Sequence, residues 1–412
     1  MLHRYADSTY AGTPDEQVGE MARRTLEVMQ RRGLHDHLQG GFFRYCTDRE
    51  WTVPHFEKML YDQAMLLWSY SFGARVFGRE DFRRTARGVY RCLEETFAAD
   101  GVYVSGHDAD TEHVEGATYV WTPSEIADVL GTEDAAFFGE IYEVSGNGNF
   151  EGKNHLLRCR DPSPAERSRL SGLEEKLLAA RRDRAQPFTD RKIHTGWNAL
   201  AGIALVQAHR HIGFSEGLDR AQELLSVLMQ LHGGERRVYH SSLDGEVQRQ
   251  EFLSDYAALA LLAGMLYEET GEYRQILEGL DQTMNEFRRD EVWFESENDD
   301  FMPVPAESFD SPTPSTVSLA EAASLRTRIL TEKEYRALPL GRPLVEDFGN
   351  LAALESRGFV HVIETSRPLE WSRLPVNTIQ VPAERESHCY RGVCRPGLPS
   401  QATEAQQDRR GQ

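Results

Sequence analysis

The sequence predicts a mainly α fold, an (α/α)6 toroid of helical hairpins with short β-hairpins at one face and a small strand element at the C-terminus. Three observations predict it. Apolar segments too dense for an exposed helix begin near Tyr61, Trp197 and Asp255, and each is followed by an amphipathic segment. The units that start near Asn198, Asp255 and Ser315 recur with a period of roughly 60 residues. A short alternating run closes the units, as a hairpin would. One helix pair cannot bury its own apolar faces, so consecutive pairs must stack, either as an open solenoid or as a closed toroid. The very apolar first helices, Ala199 to Ala208 and Ala257 to Leu266, favour an inner ring covered by an outer one.

The elements follow in order. Residues 15–31 read as an amphipathic helix through Val18, Met21, Leu26 and Met29, ended by Gly33. The stretch from Gly40 to Tyr70, GGFFRYCTDREWTVPHFEKMLYDQAMLLWSY, carries far more polar chemistry than a helix start needs. Pro54 disfavours a helical conformation at Val53, so a helix is expected to begin around His55. Its buried body runs from Tyr61 to about Phe77, and a second helix covers about 80–98. GVYVSGHDAD and EGATYVWT read as one small hairpin. Residues 159–190 read as a polar linker with a surface helix over 170–184. The second unit holds helices from Trp197 and over 216–231, then the hairpin RVYHSSLDGEVQRQEFL. The third starts at Asp255, continues with a helix over about 274–289 and ends in VWFESENDDF; the fourth starts near Ser315, after a turn at Pro312 and Pro314. After Ser356 the pattern changes, and GFVHVIET and VNTIQV read as strands. The expected division is a barrel over 1–356, a strand appendage over 357–399 and a disordered tail over 400–412.

Composition narrows the function. The chain has 412 residues, 40% of them hydrophobic, with a net charge of −20. An acidic surface repels nucleic-acid phosphate and anionic lipid, so neither is expected as a partner. No run of about 18 apolar residues exists, and the N-terminus has no apolar signal region, so a cytoplasmic location is expected. Of the five cysteines, Cys389 and Cys394 form a C-x4-C pair that could be a disulfide or half of a metal site. There is no C-x-x-C, and no second Cys/His pair at regular spacing, so no metal is expected. The glycine-rich NGNFEGKNHL lacks Walker spacing and a dinucleotide fingerprint, and no cofactor is expected.

The candidate residues stand at equivalent places, the starts of the inner helices. His55, Glu57 and Asp62 belong to the first unit, Trp197 and Asn198 to the second, Asp255 and Tyr256 to the third. Capping is the simpler account of Asp255, and capping and ligand contact are level for Asn198. Capping explains at most one of His55, Glu57 and Asp62. Imidazole titrates near neutral pH, so His55 is a candidate acid or base, with His240 or His194 as an opposite partner. Glu57 and Asp62 are five positions apart and need not share a helix face, so a carboxylate pair does not follow from spacing. The candidate catalytic set is His55, Glu57, Asp62 and His240. The candidate substrate-binding set is Arg44, Tyr45, Trp51, Lys58, Glu115, Trp197, Asn198, Asp255 and Tyr256. Rim aromatics such as Tyr45, Trp51 and Trp197 could stack on sugar rings. A small-molecule ligand is the expected partner.

The strings GGFFRY…D..W.VPHFEKMLYDQA, EGATYVWT..EI, GN.EGKNHL, P..DRKIHTGWNAL, FLSDYA, PS….A and C….C..P closely resemble, in this order, the motifs of the spermatogenesis-associated, thioredoxin-domain-containing protein family. The resemblance runs from residue 1 to about 399. It departs at Cys46, where serine is usual, at Arg191, and at Ala199, where glycine is usual. Members usually carry a thioredoxin-like domain ahead of this region, so a short form or a misplaced start is expected here, with a separate thioredoxin-like protein as a candidate partner. The family's (α/α)6 domain is similar to N-acylglucosamine 2-epimerase and cellobiose 2-epimerase. The resemblance therefore implies the toroid, and a sugar 2-epimerase or isomerase acting by His-mediated proton transfer. The alternatives are a non-catalytic binding toroid and a glycoside hydrolase using two acids from Glu57, Asp62, Glu115 and Asp255.

Overall fold

The computed structural model describes residues 1–234, 237–290, 292–296, 303–332, 360–390 and 393–399. The expected tail over 400–412, and the end of the expected barrel from 333 to 356, lie outside the described residues.

The fold is mainly α, and its helices are sorted into an inner and an outer layer. Helices α1 (Leu2–Tyr10) and α2 (Glu16–Arg31) form an N-terminal pair lying against α3 (Leu60–Phe77). The repeated hairpins are α3 with α4 (Glu80–Cys92), α8 (Thr195–Ile212) with α9 (Ser215–Leu231), and α10 (Leu253–Thr270) with α11 (Arg274–Met284). Helix α12 (Thr316–Thr327) opens a fourth unit. Among the described residues α3, α8, α10 and α12 lie side by side in that order, and α4, α9 and α11 each back the inner helix before them. This is the inner-and-outer order of the (α/α)6 toroid class. The sequence explains the sorting. Inner helices α8 and α10 are buried on nearly every side, whereas α4 and α11 bury one stripe. Inner helices α3, α8 and α10 end on Gly78, Gly213 and Gly271, all in the left-handed region that stops a helix.

Between the first two hairpins the chain builds what the sequence reading missed. Helices α5 (Pro123–Leu130) and α6 (Thr132–Tyr142) pack with α7 (Pro164–Arg182) around a second core of Trp121, Ile126, Phe138, Leu173 and Leu177. Residues 170–184 are therefore not a surface helix in a polar linker. Both α5 and α7 start with a capping box on proline, Thr122 with Glu125 and Ser163 with Glu166. The expected single hairpin at 102–121 is also corrected. Val102–Tyr103 pairs back to Ala98–Ala99, and Gly106–His107 joins Lys58–Met59 and Thr189–Asp190. Asp110–Thr111 pairs with Val114–Glu115. The run is too interrupted by turns for one two-stranded ladder.

After the helices comes a four-stranded sheet, ordered Thr378–Pro382, His361–Thr365, Ser387–Tyr390 and Val393–Pro396. Its Val362, Ile379 and Val381 join the main core. Cys389 and Cys394 form a disulfide across its last two strands. The sheet is keyed to the barrel through Glu268, which accepts from Gln380 N and from Arg326 Nε at 2.6 Å. It is keyed to α1 through Tyr390, whose hydroxyl donates to Asp7 at 2.6 Å.

Candidate functional site

The stretch ahead of α3 is extended, not helical. Tyr45 pairs with His55 and Cys46 with Pro54; Lys58 pairs with His107 and Met59 with Gly106. The helix begins at Leu60, so His55 does not stand at a helix N-terminus as the Pro54 argument expected. Two glycines fix the approach. Gly40 and Gly41 have φ of +83° and +75°, and a Cβ on Gly40 would meet the Gly88 carbonyl oxygen at 2.3 Å.

An extended chain sends alternate side chains to opposite sides. His55 and Glu57 point outward and are partly exposed, while Phe56 and Lys58 point inward and are buried. The Lys58 ammonium donates to Asp36 Oδ2 at 2.7 Å and to the Gly40 carbonyl. Arg181 clamps the same carboxylate through two bonds of 2.9 Å. Burial opposes the charge on Asp36, but Arg181 and Lys58 outweigh it and hold the carboxyl well below its ordinary range. Lys58 is therefore structural and is withdrawn as a substrate contact.

Two further candidates are corrected in the same way. Asn198 is wholly buried; its side chain accepts from Tyr103 N and donates to Tyr103 O and His194 O, pinning one hairpin to the next. Tyr256 is buried, donating its hydroxyl to Glu251 and accepting from Val238 N. Trp51 packs partly buried against the main core.

Apart from Asp62, the remaining candidates form one strip across the N-terminal ends of the inner helices. His55 Nδ1 is 2.7 Å from Glu115 Oε1, and its ring stacks on Tyr45 with centroids 5.1 Å apart. His55 Nε2 is 4.0 Å from Glu57 Oε2, which accepts from Arg44 at 2.7 Å. The Arg44 charge also acts on Tyr61, which meets Trp197 edge-on at 4.9 Å. Trp197 packs on His194 at 4.4 Å, and His194 on His240 at 5.0 Å. His240 Nδ1 lies 2.8 Å from Asp255 Oδ2. Asp255 is not the cap of its own helix, because α10 has no side-chain cap. Its Oδ1 instead accepts from Gly196 N at 2.8 Å, at the start of α8.

The electrostatics differ along the strip. The bond to Asp255 raises the His240 pKa against the opposing effect of burial. Burial pushes Asp255 itself up, although His240 and Gly196 N–H oppose it. Burial drives His194 down to about 4, with His240 and Lys192 adding to the effect, so it is neutral at pH 7. Burial pushes Asp62 up to about 7; Arg44 opposes this and Glu57 adds to it. Asp62 Oδ2 is buried and without a hydrogen-bond partner. Among the described residues no group of His, Cys, Asp and Glu could hold a metal ion. A partly open cavity toward the other end of the inner helices, lined by His3, Trp68, Gln207, Arg210 and Asn377 among others, includes none of the candidates.

The sequence offers His194 only as an alternative partner of His55 and does not single out Glu295. Glu295 Oε1 accepts from Ser254 N at 3.3 Å, next to Asp255. The repeat itself could have found it. Leu60 N donates to Ser105 O, Thr195 N to His240 O and Leu253 N to Glu295 O, each at 2.9 Å. The hairpin of each unit thus returns one residue to the start of its own inner helix. Ser105, His240 and Glu295 are equivalent positions, and Glu295 stands where the preceding unit has His240.

No protein-family model matches the chain. It is 31% identical over 365 residues to an uncharacterised Caenorhabditis elegans protein, covering 77% of this chain and 50% of the relative. It is 31% identical over 303 residues to Homo sapiens spermatogenesis-associated protein 20, covering 61% of this chain and 38% of the relative. The chain is a homologue of spermatogenesis-associated protein 20. The matches thus span half or less of the length of these relatives. A stretch of 104 residues is 32% identical to cellobiose 2-epimerase of Bacteroides fragilis, covering 24% of this chain and 26% of that one. No helix of the described residues is long and apolar enough to cross a membrane.

Proposed function

We propose that the chain is a carbohydrate-active toroid with sugar 2-epimerase or isomerase chemistry, carried by proton transfer through His240. The observation that supports this most directly is the His240–Asp255 pair. Asp255 is 1% exposed and takes the Nδ1 side of the imidazole, which fixes the tautomer and leaves Nε2 for a substrate. A buried carboxylate also stabilises the imidazolium that forms when the ring accepts a proton. In the proposed reaction His240 removes the proton from the carbon next to the carbonyl of an open-chain aldose. The C–H electrons move to the carbonyl oxygen and give an enediolate. Return of a proton to the other face, from a protonated His55 held by Glu115, completes epimerisation; return to the neighbouring carbon, with the C2 hydroxyl proton passing to the C1 oxygen, completes isomerisation. Neutral His194 can hold the developing oxyanion by hydrogen bonding, and Trp197 gives the ring a stacking surface. The short stretch shared with cellobiose 2-epimerase supports the same chemistry.

Incubation with mannose, cellobiose and glucosamine derivatives in deuterated water tests it. Deuterium should appear at C2 of at least one of them, and no exchange in any would overturn the reading. A second reading rests on Asp62, a carboxyl held up to about 7 beside the Glu57 carboxylate. An acid that keeps its proton near neutrality, next to an ionised partner, suits glycosidic-bond cleavage. Release of reducing sugar from a disaccharide without C2 exchange would favour that reading.

A further inference from the structure

We propose that the Arg44–Glu57 and Lys192–Asp190 pairs make this site selective for uncharged sugars, with Glu57 as the residue that sets the selectivity. The inference rests on the carbohydrate reading above and names its substrate class. Among the described residues, Arg44 and Lys192 are cations that reach the strip. Arg44 donates to Glu57 at 2.7 Å. Lys192 lies 3.2 Å from Asp190, and both of these charges act on His194. Lys58, the third cation of the motif region, is buried against Asp36 and cannot turn outward. Further carboxylates face the same strip: Glu115 on His55, Asp255 on His240, and Glu295 beside Asp255. A sugar phosphate or a uronate would therefore meet cations already neutralised, with surplus negative charge around them. A phosphate or carboxylate that displaced Glu57 from Arg44 would leave that carboxylate facing Asp62 and Glu115 without its partner. Hydroxyl groups meet no such opposition, since carboxylates and imidazoles accept their hydrogen bonds directly. Stability does not explain the Arg44–Glu57 pair, because ion pairs this exposed contribute little to it.

The experiment compares glucose, glucuronate and inorganic phosphate as probes, read by the imidazole NMR shifts of His55 and His240. Wild-type protein should bind glucose and show no response to millimolar phosphate or glucuronate. Glu57→Gln frees Arg44 and should gain at least about tenfold in affinity for both anions. Adding Arg44→Gln should abolish the gain. Asp190→Asn provides an independent route by freeing Lys192, should Glu57→Gln fold poorly. Wild-type binding of either anion as tight as glucose, or no gain in either variant, would overturn the proposal. If wild type binds no sugar at all, the carbohydrate reading falls. The phosphate response of the variants then still decides whether these pairs gate charge.

Discussion

Two rows of side chains leave the same four residues of chain, and they have opposite fates. His55 and Glu57 face outward, 30% and 23% exposed, with Glu115, Arg44 and Tyr45 as partners. Phe56 and Lys58 face inward, at 0% and 1% exposure, against an aromatic cluster and the Asp36–Arg181 pair. The outer row spends its polar groups on contacts that water or a ligand can replace. The inner row spends them on a charge network with no alternative partner. The difference teaches that a dense polar motif is not one site. The pleat of an extended chain divides it into a surface that can do chemistry and a clamp that holds that surface in place.

The largest way to break this comparison is in the inner row. Asp36→Asn leaves Lys58 and Arg181 buried without their carboxylate, and should lower unfolding stability by about 3–5 kcal/mol. Urea denaturation checks it; a loss below about 1 kcal/mol would mean that the network is not the clamp described.

Next is the outer strip. Asp255→Asn keeps the shape but removes the charge that holds His240. Deuterium exchange should fall by about 100-fold or more. The His240 pKa should drop toward the ordinary imidazole value, which an NMR titration reads directly. Unchanged exchange with a lowered pKa would separate His240 from the chemistry.

A middle-sized effect concerns pH. Asp62 has a folded pKa of about 7 against an ordinary 3.8, so the folded chain holds a proton that the unfolded chain releases. The protonated carboxyl therefore costs no stability below about pH 4, and stability is lost as pH rises from there to about 7. Asp62→Asn should remove that slope and stabilise the chain at pH 8 by about 1–3 kcal/mol. His240 has the same sign, its folded pKa being raised by Asp255. Its contribution is complete below about pH 6.5 and is lost as pH rises through the folded value. In Asp62→Asn the His240 part of the slope should remain, above pH 6.5. Thermal melts across pH 4–9 give both slopes.

The smallest effect is the outer ion pair. Glu57→Gln should change stability by less than about 1 kcal/mol, since Arg44 is 44% and Glu57 23% exposed. A loss as large as that of Asp36→Asn would erase the distinction between the two rows.

Much of the fold was legible in the residues. The inner helices read from Tyr61, Trp197 and Asp255, the outer helices behind them and the start of a fourth unit near Ser315 follow from apolar density, 3.6-residue periodicity and stop glycines. Helices α5 and α6 escaped although Thr122-Pro123 and Glu125 announce a capping box, because their small core depends on α7, some 40 residues further along. The site was legible as a set of residue types. Its internal assignment was not, because Lys58, Asn198 and Tyr256 carry the same polar groups as their working neighbours.

Sequence alone therefore determined the repeat, the layering and the stretch of chain that approaches the inner-helix ends. These depend on local periodicity, which each residue carries with it. Only the tertiary structure decided which polar groups meet. Asp255 finds Gly196 and His240, and His55 finds Glu115, across separations that no local rule spans. The choice between clamp and site depends on burial, and burial is a property of the packed hairpins together.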